Sequence, residues 1–221
     1  MSIAPALSTA PLDTSLRLHA SGPLAPWDGC GGGVHGGIAL AARSHDRLRM
    51  VVGEVAARPA VRRELPDLLP RLVLRETLAA APLSGVAELL DRTVRRSDPS
   101  AGFSATLVDL FPDGRVTSCL LASPAPAVAH DAGNVVPLMP GADGLVTGTL
   151  DPGHLLLVFS AGFLENTVPG ALGAAPRQYR LHHSVDAVWA GLMPAAEPPQ
   201  PVETSGAALA VLRRAVLVPS G

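Results

Sequence analysis

Two apolar runs, residues 103–111 and 115–121, are separated only by Pro112-Asp113-Gly114. Proline pre-sets φ at about −65° and glycine accepts the left-handed backbone that a tight reversal demands. The three residues therefore predict a β-hairpin, and with it an antiparallel sheet in the middle of the chain. Other short apolar runs add strands to it: an edge strand at Leu16-Arg17-Leu18-His19, a short strand over 38–42 and a buried one over 48–55. Further strands are predicted at 127–130, 135–138, 155–160 and 207–218.

Helical signals are confined to one stretch. Pro59, Pro66 and Pro70 each lack an amide donor and clash with the preceding turn, which predicts a broken start and a helix from 66 or 70 to 80. A second helix is predicted from Ser84, as N-cap, to 96, with Leu89, Leu90 and Val94 as its apolar stripe. Residues 28–37 (Asp-Gly-Cys-Gly-Gly-Gly-Val-His-Gly-Gly) read as a glycine-dense turn, and 194–201 (Pro-Ala-Ala-Glu-Pro-Pro-Gln-Pro) as an extended linker. Many strands with two central helices give an α+β domain. Its expected extent is 27–221, after an Ala/Pro/Ser-rich arm over 1–26.

Composition narrows the function. At 221 residues with 48% hydrophobic and 16% charged residues, the chain can bury a large core and is not generically disordered. A net charge of −2 supplies no basic surface for phosphates, so nucleic-acid binding is not expected. All 17 basic residues are arginine, which excludes a lysine Schiff base and a P-loop lysine. Two cysteines make neither a disulfide framework nor a four-cysteine zinc site. Residues 1–11 lack a signal-peptide pattern, and the apolar strips 155–159 and 207–212 are too short to span a bilayer. The expectation is a cytoplasmic protein with no membrane partner.

The segment Leu150-Asp151-Pro152-Gly153-His154-Leu155-Leu156-Leu157-Val158-Phe159-Ser160-Ala161-Gly162-Phe163-Leu164-Glu165 resembles the "l-x-P-G-D-x-L-l-L-y-T-D-G-l-x-E" stretch of the protein phosphatase 2C superfamily. The likeness is to the bacterial branch typified by stage II sporulation protein E. Residues 48–55 resemble the strand into its "G-D-V-x-G-H-G", and Phe111-Pro112-Asp113-Gly114 its central hairpin turn. Ala122-Ser123-Pro124-Ala125-Pro126 is similar to "A-G-H-P-P", and 207–214 to the strand after "D-D-x-T". The resemblance runs over about residues 28–218 and implies two antiparallel sheets packed face to face, with helices outside.

Family chemistry rests on acids that hold two divalent cations. "G-G-D-x-x-D" is matched by Gly31-Gly32-Gly33-Val34-His35-Gly36, with glycine at both acidic places, Gly33 and Gly36. "G-D-V" is matched by Gly53-Glu54-Val55, which keeps a carboxylate on a longer arm. "T-D-G" is matched by Ser160-Ala161-Gly162, and "D-D-x-T" by Ser205-Gly206-Ala207-Ala208. The glycine-histidine-glycine is replaced by Ala57-Arg58-Pro59. Glu54 alone cannot hold two mutually repelling cations. The resemblance thus implies a pseudophosphatase with vestigial metal positions Gly33, Gly36, Glu54, Ala161, Ser205 and Gly206, no cofactor and no bound metal.

Candidate replacement chemistry is thin. His35 and Arg58 flank the vacated motifs and His154 precedes a strand where the family often has an acid, which makes these three candidate cleft residues. Without HxH or HExxH spacing, surface or turn histidines are the plainer reading. Cys30 beside the glycines lacks a visible activating charge. Ser160-Ala161-Gly162 and Ser44-His45-Asp46 form no G-x-S-x-G and no triad. Arg58, Arg62 and Arg63 read as a solvated helix face. The function expected is regulation or stabilisation of a protein partner in bacterial signalling, by a heteromeric complex or homodimer. The alternatives are a repurposed small-molecule enzyme or accessory subunit in specialised metabolism, with a ligand in the empty cleft, and a residual metal-dependent phosphatase.

Overall fold

The structure, a computed structural model, describes residues 14–21, 34–57, 64–130, 133–141, 145–167, 170–182, 188, 191–192 and 207–214. Ten strands are described: β1 (Thr14–Ser21), β2 (Val34–Arg43), β3 (Leu48–Ala57), β4 (Gly102–Leu110), β5 (Arg115–Leu121), β6 (Ala127–Ala129), β7 (Val135–Pro137), β8 (Val146–Thr149), β9 (Leu155–Phe159) and β10 (Ala207–Arg214). The helices are α1 (Leu65–Leu78), α2 (Leu83–Ser97), α3 (Ala161–Asn166) and α4 (Ala175–His182), with a 3-10 turn at Ala171–Ala174 before α4. The strands form two five-stranded sheets, β1-β10-β9-β6-β7 and β2-β3-β4-β5-β8, paired antiparallel throughout.

Alternation along β3 shows how the layers stack. Met50 and Val52 point one way, into the space between the sheets, where they meet Val108, Leu110, Leu156, Val158, Ala208, Ala210 and Leu212. Val51 and Val55 point the other way, under Leu65, Leu69 and Val73 of α1 and Val86, Leu90 and Val94 of α2. On the far side, Leu155, Leu157, Phe159, Leu209 and Val211 pack beneath Phe163 of α3 and Tyr179 of α4. Both faces of each sheet are covered, which is why β3 and β9 are nearly continuous apolar runs rather than alternating ones. The α+β architecture of two packed antiparallel sheets between helices is the one expected. Among the described residues no helix is long and apolar enough to cross a membrane.

Several elements depart from the sequence reading. Residues 34–37 are strand rather than turn, so β2 starts four residues earlier than expected. Helix α1 runs unbroken from Leu65: Pro66 falls in the first turn, where amides need no intrahelical partner, and Pro70 forfeits one bond inside the helix. Helix α2 begins at Leu83 because Pro82, at φ −64° and ψ 147°, sets the non-helical entry; Ser84 is inside the helix and is not its cap. Leu89 is half-buried, and the stripe on the core is Leu83, Val86, Ala87, Leu90 and Val94. The edge strand expected near Leu16–His19 is β1, so part of the expected N-terminal arm belongs to a sheet. Strand β8 and helices α3 and α4 were not foreseen. The 194–201 linker, Cys30 and the Arg58, Arg62 and Arg63 cluster lie outside the described residues.

A buried ion pair fixes the helical layer to the second sheet. Arg49 and Asp109 are cross-strand partners on β3 and β4. The Arg49 guanidinium, wholly buried, donates through Nε and Nη2 to the two Asp109 oxygens at 2.7 Å each. The same Nη2 donates to the Ala81 carbonyl at 2.7 Å, just past the end of α1, where Ala80 turns the chain with φ 53°. Planar bidentate geometry and a carbonyl for a remaining donor are what a buried guanidinium needs.

Candidate functional site

Glu54 lies near the end of β3 and follows Met50 and Val52 on the face between the sheets. Its neighbours across the ladder are Gly37 on β2 and Ser104 on β4. The preceding Gly53 is required by packing: a β-carbon there would lie 2.1 Å from the Ser104 carbonyl oxygen and 2.7 Å from Ala105 Cα. The chain therefore crosses close against β4, and Glu54 projects from that crossing into a nearly closed interior, 9% exposed.

The carboxylate is met from the other sheet. Strand β9 ends at Phe159 and Ser160 starts α3. Ser160 Oγ accepts from the Phe163 amide at 3.2 Å, an N-cap bond, and from the Ala208 amide of β10 at 3.0 Å. The Ser160 amide donates to the Ala208 carbonyl at 3.0 Å. This cap holds the first turn of α3 against β10 and aims the Gly162 amide back between the sheets. That amide donates to Glu54 Oε1 at 2.6 Å, a buried, charge-assisted bond across 108 residues of sequence. One end of the sandwich is thus clasped by Glu54, Gly162 and Ser160.

The structure gathers only part of the sequence-derived set. Glu54 and Ala161 converge, Ala161 being next to Gly162. Gly36 is opposite Val55, whereas Gly37 is opposite Glu54. Cross-strand partners share a face, so Gly37 faces with Glu54 and Gly36 is one residue out of step with it. His35 is opposite Ala56 in the same ladder. His154 is elsewhere: it precedes β9, whose opposite end leads to Ser160, about 20 Å away at the rise of an extended strand. There its ring meets that of His130 edge-on, 4.3 Å between centroids. His154, expected as a cleft residue, thus sits at the end of β9 away from Ser160. Gly33, Arg58, Ser205 and Gly206 lie outside the described residues.

Sequence reasoning passed over Gly162, Ser104, Gly37 and the capping role of Ser160. A serine between a strand and Ala-Gly is an N-cap signal, and it was open to that reading. Ser44 and Asp46 form the β2–β3 turn, with Ser44 Oγ donating to Asp46 at 2.6 Å and Arg47 bridging Asp46 and Asp109. That is structural bonding rather than a catalytic group. Burial and the nearby Glu88 push the half-buried Cys119 thiol up, away from thiolate reactivity.

A dinuclear centre of hard cations needs several converging oxygen ligands. Here Glu54 gives an oxygen to an amide, Ala161, Gly36 and Gly37 offer no side-chain donor, and no three His, Cys, Asp or Glu side chains converge among the described residues. The described donor set does not fit such a centre.

No family model matches the sequence, and no curated protein matches it. Solved structures do. The RsbU and RsbW domains of Rv1364c from Mycobacterium tuberculosis match with TM-score 0.62 at 17% identity, over 93% of this chain and 62% of that one. The SiaA-PP2C domain of Pseudomonas aeruginosa matches with TM-score 0.57 at 14% identity, over 91% of this chain and 85% of that one. RsbX, solved in complex with magnesium, matches with TM-score 0.55 at 12% identity, over 90% and 94%. The chain spans less than two thirds of the Rv1364c structure. Identities this low speak for architecture alone, and on that ground the two clasped sheets and their covering helices are the protein phosphatase 2C fold.

Proposed function

We propose that this chain is a pseudophosphatase: a phosphatase 2C fold in which the cation-binding end has become a structural clasp, and which acts in the bacterial cytoplasm by contacts with a protein partner that it regulates or stabilises. The observation that carries the reading is the 2.6 Å bond from the Gly162 amide to Glu54. The one carboxylate retained at the motif positions is engaged by backbone, in a place where its neighbours Ala161 and Gly37 have no ligand to add. Glycine at 33 and 36 and Ser205-Gly206 in place of paired acids support the same reading. A fold kept without its chemistry retains a surface, and the bacterial signalling setting follows from the resemblance to the sporulation-type branch.

The test joins two assays on the full chain. Hydrolysis of p-nitrophenyl phosphate with added Mn²⁺ is expected to stay at the buffer rate. Co-expression with the products of neighbouring genes is expected to yield a stoichiometric complex. Metal-dependent turnover abolished by Glu54→Gln would overturn the proposal in favour of a residual phosphatase.

A further inference from the structure

Strands β6 and β9 pair antiparallel through Ala127↔Leu157, Val128↔Leu156 and Ala129↔Leu155. His130 and His154 are the next residue on each strand, so they stand across from one another at the end of the ladder. Side chains alternate between faces, which puts both on the side of Val128 and Leu156, at the rim of the space between the sheets. Their rings are in contact, 4.3 Å between centroids and inclined at 69°.

The backbone at each histidine is held. The His130 amide donates to the Asn134 carbonyl at 2.9 Å, and the His130 carbonyl accepts from the Gly133 amide at 2.9 Å. The His154 amide donates to the Asp151 carbonyl at 3.2 Å. The rings are not held by bonds of their own: neither imidazole has a hydrogen-bond or ion-pair partner among the described residues. Both residues are half-buried, so part of each stays open to water. Two fixed strand ends thus bring together two imidazoles whose nitrogens are uncommitted.

The spacing of the rings has a chemical meaning. A neutral imidazole binds a late first-row divalent ion about 2.0–2.1 Å from its nitrogen, which sets the ion about 3.2 Å from the ring centroid. Two imidazoles in cis positions of a square-planar or octahedral ion then have centroids about 4.5 Å apart, and in tetrahedral positions about 5.2 Å apart. The observed 4.3 Å is close to the cis value. Inclined rings, unlike stacked ones, can aim their lone pairs at one point, and the adjustment is a rotation about χ2, a torsion with broad wells.

We propose that His130 and His154 form a two-imidazole site for a late first-row divalent transition ion, with water in the remaining positions. The cis spacing favours Cu²⁺ and Ni²⁺, with Cu²⁺ the tighter, and nitrogen donors disfavour Mg²⁺ and Mn²⁺, which suit oxygen ligands. Open positions on the ion leave room for a further ligand, unlike a closed four-ligand structural site. The pair lies at the end of β9 away from Ser160 and shares no residue with the Glu54 clasp, so it is independent of the pseudophosphatase reading.

The test is calorimetric titration of Cu²⁺ and of Ni²⁺ into the metal-stripped full chain at neutral pH, with electron paramagnetic resonance of the Cu²⁺ form. A saturable tightest equivalent is expected, tighter for Cu²⁺ than for Ni²⁺, with two equatorial imidazole nitrogens in the spectrum. His130→Asn and His154→Asn are each expected to weaken that Cu²⁺ equivalent at least about tenfold, with the far-UV spectrum retained. His45→Asn, on an exposed turn histidine, should leave it within about twofold. The spectrum of the unsubstituted chain reads the donor set whether or not the variants fold. No saturable binding, a spectrum without two imidazole nitrogens, or an affinity that survives in the His130→Asn, His154→Asn double variant would overturn the inference.

Discussion

Replacing Glu54 by alanine separates a structural carboxylate from one held in readiness for cations. In the structure Glu54 Oε1 accepts the Gly162 amide at 2.6 Å inside the sandwich, and the bond links the β3 sheet to the helix that caps β9. A hydrogen bond to a charged group contributes about 1.5–3 kcal/mol, and its loss leaves a buried donor unsatisfied. With a small cavity added, Glu54→Ala is expected to cost about 2–4 kcal/mol. For a domain near 200 residues that lowers Tm by roughly 5–12 °C. Glu54→Gln keeps an oxygen acceptor and should cost about 1 kcal/mol. The assay is thermal and urea unfolding in EDTA-containing buffer, so that no cation contributes. A carboxylate kept for metal binding is a burden without metal, and its removal is commonly neutral or stabilising. If Glu54→Ala unfolds at or above the wild-type temperature in EDTA, the clasp reasoning is refuted.

Three further outcomes follow from individual bonds. Ser160→Ala removes the acceptor for the Phe163 and Ala208 amides and should cost about 1–2 kcal/mol by urea unfolding, with Ser160→Thr or Ser160→Asp milder as caps. Arg49→Met leaves Asp109 buried without its bidentate partner and should cost about 3–5 kcal/mol, while Arg49→Met with Asp109→Leu recovers most of the loss. Hydrogen bonds from Arg47 and Ser44 hold the Asp46 carboxyl well below the usual carboxylate range. A carboxyl lowered by folding stabilises above its unfolded pKa, about 3.9, and that contribution is lost as pH falls below it. Asp46→Asn should therefore flatten the acid limb of stability below about pH 4 and leave its slope near pH 7 unchanged, with a small amplitude because Asp46 is partly exposed to solvent.

What the sequence disclosed was local and patterned. The β4–β5 hairpin was readable because Pro112-Asp113-Gly114 encodes its own turn, with Gly114 at φ 91°. The buried run of β3 was readable because both of its faces meet apolar layers. β2 was cut short because Gly36 and Gly37 carry no side chain to show alternation, although the ladder runs straight through them. The start of α1 was left between Pro66 and Pro70 because either proline suits a first turn, whereas the apolar contacts of Leu65, Leu69 and Val73 carry the helix through Pro70 at the loss of one bond. α3 is six residues long, too short for periodicity to register. At the site, Glu54 was picked out only by the resemblance of Gly53-Glu54-Val55 to the family's "G-D-V". Its partner was not, since a backbone amide 108 residues away leaves no trace in residue identity, and the offset of Gly36 from Glu54 exists only in the register.

The most direct measurement of the central claim is calorimetric titration of Mn²⁺ and Mg²⁺ into the EDTA-stripped full chain, with anomalous scattering from manganese-soaked crystals. The clasp predicts no saturable binding at the cation-binding end of the fold, no manganese peak within coordination distance of Glu54, and the Glu54–Gly162 bond unchanged. Two manganese ions bridged by Glu54, with its carboxylate turned away from Gly162, would contradict it.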